Sequence, residues 1–185
     1  MPEFNFITLN GIELRHPFDS YVKFWEAVSG PRKERLPPVG AVHELEHYFC
    51  GDQEDVEEVD FSEKPVTVLM LDEIDYLVTP QQTLLYNFFD WPLRATTGRL
   101  VVIGISNTIN LPEKLTPRVQ SRIGGDRCNF QAYNFQQTIT ILKTRLGMMG
   151  GNPGYPVFEE DAIRVSPLFS HFSSNIAWIF VSILV

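Results

Sequence analysis

The sequence predicts an α/β fold in which a parallel sheet is flanked by helices, and two short apolar runs carry this prediction. Val66–Leu71 and Leu100–Ser106 are mostly aliphatic, and each is followed by polar residues. Runs of this kind are typical of strands buried in a parallel sheet. Segments with helical spacing alternate with them, which favours the α/β class. A chain of 185 residues has room for one ordinary domain or for part of a larger one.

The residues before the first of these runs predict one strand and two helices. Phe4–Asn10 is expected to form a strand that closes at Asn10-Gly11. A helix with its C-cap at Gly30 follows, then a Pro- and base-rich linker, Pro31–Gly40, and a second helix that ends at Gly51. Both helices have apolar residues at helical spacing, and the aromatic residues of the first are expected to be mostly core. The apolar residues are Tyr21, Phe24, Trp25 and Val28 in the first helix and Ala41, Val42, Leu45, Tyr48 and Phe49 in the second.

The second half predicts several helix starts and one further strand. Thr79-Pro80 and Thr116-Pro117 each combine an N-cap residue with a proline suited to the first turn. Arg127–Gln131 predicts a short strand, and Asn134 is expected to cap the next helix. The last predicted elements are a hinge-like connector at Gly147–Gly154 and the start of one more helix at Phe158–Val165.

Charge is unevenly distributed along the chain. The net charge is −8, but residues 52–63 contain seven acidic residues and no basic one, so the remainder is close to neutral. This pattern predicts a solvated acidic loop and leaves room for a basic face elsewhere. The two cysteines, Cys50 and Cys128, are far apart and lack metal or redox spacing. They favour a reducing intracellular compartment over a secreted disulfide scaffold.

Residues 166–185 differ from the rest of the chain because they contain no charged residue and end in an apolar run. A membrane-spanning helix needs ~20 apolar residues. Here His171, Asn175 and several serines interrupt the run. The segment therefore predicts a divergent end from altered splicing or gene modelling rather than a membrane span, and an aggregation liability if it is exposed.

Polar residues directly follow both apolar runs and form the main candidate site. Asp72 and Glu73 follow the first run, and Asn107 follows the second. Ligands of open α/β sheets bind beyond the carboxyl ends of the strands. A carboxylate for Mg²⁺, a second to orient water and an amide to sense a terminal phosphate are the groups that a Mg-nucleotide site needs. Asp75 is expected to face solvent or to cap the following turn.

Three arginines form a second candidate group. Arg118, Arg122 and Arg127 are spaced so that they can cluster. An arginine that reaches a neighbouring subunit's nucleotide stabilises charge in the transition state, whereas the alternative is a set of surface salt bridges. A role in trans is favoured, because no stretch of the sequence matches the phosphate loop G-x-x-x-x-G-K-[ST] that would complete a nucleotide pocket.

A rival hypothesis from another class is a zinc peptidase. His43, Glu44 and His47 match H-E-x-x-H, which on a helix places both histidines on one face with the glutamate as general base. The sequence offers no clear third ligand. Two histidines on a helix surface are therefore the favoured interpretation.

Longer stretches of the sequence resemble one family. They are VLMLDEIDYL, LLYNFFDWP, LVVIGISNTINLPEKLTPRVQSRIG and FEEDAI, which together with FITLNGIEL span roughly residues 4–165. They are similar to the initiator AAA+ ATPase domain of the largest-subunit family of the eukaryotic origin recognition complex. The D-W-P tripeptide and the N-T-x-x-L-P-E-K-L-x-P-R-V-x-S-R-x-G stretch set this group apart from other AAA+ proteins.

The resemblance implies a nuclear, ATP- and Mg²⁺-dependent ATPase that binds DNA with the other subunits of that complex and helps to load the replicative helicase. It places Walker B on Asp72 and Glu73, with Asp72 toward Mg²⁺, sensor 1 on Asn107 and the arginine finger on Arg122. The helix near Tyr21–Val28 would be the element that approaches DNA, with no DNA-binding residue assigned.

Two departures from the family pattern matter. The family's first strand and phosphate loop have no counterpart here, and that strand is central, so the Leu100 and Arg127 strands are expected to expose their edges or to pair with each other. The match also stops after Arg164, before the sensor 2 arginine. These departures predict a partial AAA+ core at residues 1–146, a hinge and the start of a helical lid at 147–165, a hydrophobic tail at 166–185, and impaired nucleotide binding.

Overall fold

The computed structural model describes residues 4–30, 35–51, 65–108, 110–123, 127–130, 133–148 and 177–183. They belong to two compact units. One unit comprises Met1–Asn129 together with Ala177–Val185, and the other comprises Phe130–Ile176. The predicted boundaries at residues 146 and 165 stay predictions.

The elements of the chain form one five-stranded sheet and six α-helices among the described residues, with two short 3-10 helices. The sheet order is β1-β2-β3-β5-β4. The strands are β1 (Phe4–Asn10), β2 (Val66–Asp72), β3 (Leu100–Ser106), β4 (Arg127–Phe130) and β5 (Ala177–Ile183). The helices are α1 (Asp19–Ser29), α2 (Pro38–Cys50), α3 (Thr83–Arg94), α4 (Leu111–Lys114), α5 (Pro117–Ile123) and α6 (Phe135–Met148), and the 3-10 helices are Gly11–Glu13 and Ile74–Leu77.

Strands β1, β2 and β3 run parallel in a continuous register. Asn10 lies beside Asp72, and Leu71 lies beside Gly104. Burial alternates along β2 and β3, with one face buried and the other half-buried. Such strands contribute aliphatic side chains to layers on both faces, as expected for an α/β sheet. The predicted α/β fold class, a parallel sheet flanked by helices, is confirmed.

The edge of β3 has an unexpected neighbour. The prediction that the Leu100 and Arg127 strands would expose their edges or pair with each other was wrong, because β5 lies between β3 and β4. It runs antiparallel to β3, from Ser106 beside Trp178 to Val101 beside Ile183. The backbone N–H and C=O groups of a buried strand need partners, and a run of apolar residues supplies them here. No helix among the described residues has the length and apolar composition to cross a membrane.

Two helix starts differ from the sequence prediction. Helix α2 begins at Pro38, inside the predicted linker, and α3 begins at Thr83 rather than at Thr79-Pro80. Gln82, just before α3, has a left-handed backbone (φ 53°), which a helix cannot continue through. The predicted cap at Asn134 is confirmed, since its Oδ1 accepts a hydrogen bond of 2.9 Å from the backbone N–H of Gln137. The predicted connector at Gly147–Gly154 starts too early, because α6 continues to Met148; the rest of the connector and the predicted helix at Phe158–Val165 lie outside the described residues.

Aromatic side chains hold helices α1, α2 and α3 together. Phe24 of α1 stacks on Phe49 of α2 with ring centroids 5.7 Å apart, and Tyr21 meets Phe88 of α3 at 5.2 Å. Phe88 in turn packs edge-on against Trp91 at 5.4 Å. Such pairs contribute ~0.5–1.5 kcal/mol each beyond the area they bury. The prediction that the aromatic residues of α1 are mostly core is confirmed, and this core fixes α3 beside the sheet.

Candidate functional site

The carboxyl ends of β2 and β3 bring the predicted site residues together. The two strands are paired in parallel, so the residues that follow them emerge at the same edge of the sheet. Asn107 Nδ2 donates a hydrogen bond of 2.5 Å to Glu73 Oε1. Asp72 Oδ1 accepts a bond of 2.9 Å from the backbone N–H of Glu73. Asp72 and Glu73 therefore share one edge with the amide of Asn107.

Asp75 also belongs to this site, although sequence reasoning assigned it to solvent or to the turn. Its carboxylate accepts hydrogen bonds from the Ser106 hydroxyl at 2.9 and 3.0 Å and from the backbone N–H of Asn107 at 3.0 Å. These bonds join the turn after β2 to the end of β3. The local sequence gave no signal for this role, because the partner lies 31 residues away. We call Asp72, Glu73, Asp75, Ser106 and Asn107 the strand-end site.

Glu73 has a backbone conformation that is rare for a residue with a side chain. Its φ of 54° and ψ of 49° lie in the left-handed region, which costs ~1–2 kcal/mol for most residues. Buried Gly11, in the turn after β1, packs against its carbonyl oxygen, and a Cβ at Gly11 would collide with that atom. The turn after β1 therefore supports the unusual backbone that aims the Glu73 side chain.

Burial and nearby negative charge raise the proton affinity of Glu73. Desolvation by burial raises the pKa of its carboxyl above the ordinary value, and the nearby carboxylates of Asp72 and Asp75 raise it further. The hydrogen bond from Asn107 works in the opposite direction. Three carboxylates in four residues make this edge of the sheet a place where a cation is favourable.

The donor set suits Mg²⁺ held with a phosphate group rather than by the protein alone. Among the described residues, no group of three or more His, Cys, Asp and Glu side chains converges as a metal cage. Mg²⁺ is usually held by one or two carboxylates together with waters and substrate phosphates. A carboxylate at Asp72 with a second at Glu73 fits that pattern.

The H-E-x-x-H motif gains no further metal ligand from the described residues. His43 and His47 lie on the exposed face of α2, and Glu44 is half-buried. No third His, Cys, Asp or Glu among the described residues joins them. A catalytic zinc needs three protein ligands, so the described part of the chain offers no zinc site.

Arg122 lies in a separate groove between α3 and α5. The groove has a volume of about 490 Å³ and is lined by Tyr86, Asp90, Leu93, Arg94, Arg118 and Arg122, which we call the arginine groove. Arg122 Nε is 2.6 Å from one oxygen of Asp90, and Arg94 Nε is 2.6 Å from the other. The exposed Arg118 guanidinium lies 3.7 Å above the centre of the Tyr86 ring.

Asp90 is the anion that organises this groove. Its side chain is only 5% exposed. Burial alone would raise its pKa, but hydrogen bonds from Arg122, Tyr86 and Arg94 outweigh burial and hold the pKa below the ordinary value. The lining contains three arginines and one acid, of which Arg94 and Arg122 contact Asp90, so the lining residues have a net positive charge. The side chain of Arg127 lies outside the description, so the predicted three-arginine cluster is described for Arg118 and Arg122.

A protein-family comparison agrees with this geometry. The model of the ATPase family associated with various cellular activities (AAA) matches residues 3–127. The chain belongs to this AAA family. The match covers β1, the strand-end site and the arginine groove, so the described geometry is that of an AAA chain.

Comparison with named proteins shows which members of the AAA family this chain resembles. The chain is 39% identical over 161 residues to the origin of replication complex subunit 1 of Oryza sativa subsp. japonica, a match that covers 87% of this chain and 18% of that protein. This AAA chain therefore spans under a fifth of the length of that relative. The predicted resemblance to the largest subunit of the origin recognition complex is confirmed.

Solved structures of AAA relatives share the fold. A chain in the structure of the Drosophila origin recognition complex bound to DNA matches with a TM-score of 0.66 and 27% identity, over 95% of this chain and 38% of that one. The ORC1 protein of Aeropyrum pernix in complex with DNA matches with a TM-score of 0.66 and 25% identity, over 94% of this chain and 42% of that one. The predicted AAA+ architecture is confirmed by these likenesses.

Proposed function

We propose that this chain forms the Walker B and sensor 1 part of an initiator AAA+ ATPase that acts in origin recognition. The observation that supports it most directly is the hydrogen bond between Asn107 and Glu73 at the ends of paired parallel strands. In this arrangement a carboxylate that activates water and an amide that senses phosphate are coupled to each other. The relatives of this AAA chain are named as subunits of the origin recognition complex.

Each residue of the strand-end site has a proposed role. Asp72 would hold Mg²⁺, which when bound would neutralise charge on the phosphates of ATP. Glu73 orients the attacking water and accepts its proton, a task helped by a raised pKa. Asn107 holds Glu73 in place and senses the terminal phosphate. Asp75 positions Asn107 through the backbone of that residue.

Arg122 is the proposed trans-acting arginine. The arginine groove lies on α3 and α5 rather than at the strand ends, and Asp90 engages the Nε side of the Arg122 guanidinium. A guanidinium held by one edge is oriented before it meets a ligand, which reduces the entropy lost on binding. We propose that Arg122 reaches the nucleotide of a neighbouring subunit.

The whole protein is proposed to work in the nucleus as one subunit of a hetero-oligomer. It would bind origin DNA in an ATP-dependent manner with the other subunits of the origin recognition complex and help to load the replicative helicase. The Drosophila origin recognition complex that contains one similar chain is bound to DNA, and the similar ORC1 protein of Aeropyrum pernix is in complex with DNA. The residues of this chain that would contact DNA are not assigned.

Nucleotide binding by these 185 residues alone is proposed to be weak. The sequence contains no phosphate-loop motif, so it lacks the backbone N–H groups with which such a loop binds the β- and γ-phosphates. We expect isothermal titration of the purified chain with Mg-ATP to give a dissociation constant of ~1 mM or weaker, which corresponds to about −4 kcal/mol. Micromolar binding by a monodisperse sample would contradict this expectation.

The trans role of Arg122 is tested by adding the chain to an origin recognition complex subunit that has a complete ATP site. We expect ATP hydrolysis by that subunit to rise, and Arg122→Ala to remove the rise, because an arginine finger contributes ~10³–10⁵-fold. Arg145→Ala is the matched control, since Arg145 is an exposed arginine on α6, outside the arginine groove. Equal stimulation by the Arg122→Ala variant, with circular dichroism showing it folded, would refute the role.

A further inference from the structure

We propose that the edge of β3 is a strand-acceptor site, that Ala177–Ile183 occupies it as a tethered strand, and that an uncharged apolar peptide binds there when this strand is displaced. The proposal concerns the position between β3 and β4, which β5 fills. It rests on the pairing of the strands and not on the nucleotide chemistry proposed above. It assigns a binding function to a sheet position rather than to the residues of the strand-end site.

The pairing of β5 with β3 involves six of the seven residues of each strand. Six residue pairs align, from Val101 beside Ile183 to Ser106 beside Trp178. The direction is antiparallel, whereas β1, β2 and β3 are parallel to one another. Main-chain hydrogen bonds give affinity in strand addition and do not require one particular sequence. An edge that accepts a strand in this way is set to accept other extended segments.

The connection of β5 to the rest of its unit supports exchange. Ala177–Val185 clusters with Met1–Asn129, but the intervening Phe130–Ile176 forms a compact unit of its own. Strand β5 is therefore held to β3 by its ladder and by a long tether rather than by a tight turn. If the in-chain strand has an effective concentration of ~1 mM, a free peptide at ~0.1 mM would occupy the edge in about a tenth of molecules at most.

Occupation of this edge reaches the strand-end site. Ser106 ends β3, pairs with Trp178, and donates its hydroxyl to Asp75. The next residue, Asn107, contacts Glu73. A strand that holds β3 in place thus also holds the residues that couple Asp75 and Glu73. Displacement of β5 is expected to loosen this coupling as well as the sheet.

The first experiment breaks the in-chain ladder at its middle. Val181 lies beside Ile103, and Val181→Pro removes a backbone N–H from a strand with neighbours on both sides. We expect amide exchange in Leu100–Ser106 to become at least tenfold faster in this variant. Addition of 0.1 mM of a peptide of residues 177–183, extended by lysines, should return the exchange toward the original rate. This peptide concentration is about a tenth of the ~1 mM effective concentration of the in-chain strand. Val181→Ile, which keeps the N–H, is the matched control.

The outcomes of that experiment are distinct. Unchanged exchange in Val181→Pro would show that β5 does not cover β3 and would overturn the proposal. Faster exchange without recovery, while amides of β1 and β2 stay protected, would show that the edge does not accept a strand in trans and would also overturn it. Neither result bears on Arg122 or on ATP binding, so the proposed function is tested separately.

A second experiment avoids a disruptive substitution. Residues opposite each other in an antiparallel pair have Cα atoms ~4.5–5.5 Å apart, within reach of a disulfide. We expect Ile103→Cys with Val181→Cys to form an intrachain disulfide on oxidation, whereas the out-of-register pair Val101→Cys with Ile179→Cys does not. The oxidised chain should no longer bind millimolar peptide that the reduced chain binds. An interchain disulfide, none, or equal peptide binding in both states would overturn the proposal.

Discussion

At the scale of single residues, Glu73 combines an unusual backbone with an unfavourable charge environment. Its left-handed conformation is supported by the close approach of Gly11, and its side chain is held by Asn107. Burial and the carboxylates of Asp72 and Asp75 raise its pKa. Strain and like charge are found together at functional sites when the surrounding structure holds them in place.

This environment predicts that Glu73→Gln stabilises the folded chain at neutral pH. An acid whose pKa is raised by folding binds more protons in the native state, so its contribution to stability falls as pH rises from its unfolded pKa through its folded pKa. We expect Glu73→Gln to raise Tm at pH 7 by no more than ~2 °C, because Glu73 is only half-buried and solvent screens its charge. The gain should vanish at a pH below both pKa values.

Differential scanning calorimetry over a series of pH values measures this effect. Glu44→Gln is a matched control, because Glu44 lies on α2 away from the three carboxylates of the strand-end site. A loss of stability at pH 7 in Glu73→Gln would show that the charge of Glu73 is favourable in the folded chain, against the direction given above.

At the scale of secondary-structure elements, helix α5 is attached to α3 at two points. Near the start of α5, the Gln82 side chain donates to the carbonyl of Lys114 at 2.9 Å and accepts from the N–H of Thr116 at 2.7 Å. Farther along, Asp90 bonds Arg122. The two contacts fix both the position of α5 and the direction of its arginines. Asp90 also joins α3 to α2 through Arg94, which contacts Glu46 at 2.6 Å.

The contacts of Asp90 with Arg122 and Arg94 predict that Asp90→Asn costs more stability than the loss of a surface ion pair. Asp90 is 5% exposed and bonded to two arginines, so removing its charge should lower the free energy of unfolding by ~1–3 kcal/mol at pH 7. The pKa of Asp90 is lowered by folding, so its contribution is present above its unfolded pKa and is lost as pH falls through its folded pKa. The difference between the variant and the original chain should shrink in that acidic range.

Urea denaturation at two pH values checks this prediction. Glu46→Gln is the control, because Glu46 and Arg94 are 44% and 45% exposed and such pairs contribute ~0–1 kcal/mol. Equal losses of unfolding free energy in the Asp90→Asn and Glu46→Gln variants would mean that the buried position of Asp90 adds nothing to stability.

At the scale of the whole chain, the charge opposes an independent role on DNA. The net charge is −8, and the described basic residue of α1, the helix that the family resemblance places near DNA, is Lys23. The apolar face of α1 is buried against α2 and α3. Affinity for DNA depends mainly on neutralising phosphates with Lys and Arg. We therefore expect the chain by itself to bind DNA weakly, with partner subunits supplying the positive charge.

We expect this chain alone to bind duplex DNA at the weak end of the non-specific range of ~10⁻⁴–10⁻⁶ M at physiological salt. Fluorescence anisotropy with a labelled duplex measures the affinity. A variant with the seven acids of residues 52–63 replaced by amides should bind more tightly, because the repulsion that they exert is removed. Nanomolar, sequence-specific binding by the unmodified chain would contradict the expectation.

Local patterns in the sequence determined the α/β class, the strands at Phe4, Val66 and Leu100, and the meeting of Glu73 with Asn107. These features depend on short-range rules, since an apolar run sets a buried strand and parallel strands deliver their last residues to one edge. The tertiary structure alone decided that Asp75 bridges two strands, that Asp90 engages Arg122, and that β5 lies against β3. Each of these joins residues more than 30 positions apart, where partner choice depends on three-dimensional packing and on unpaired backbone groups, which no local pattern encodes.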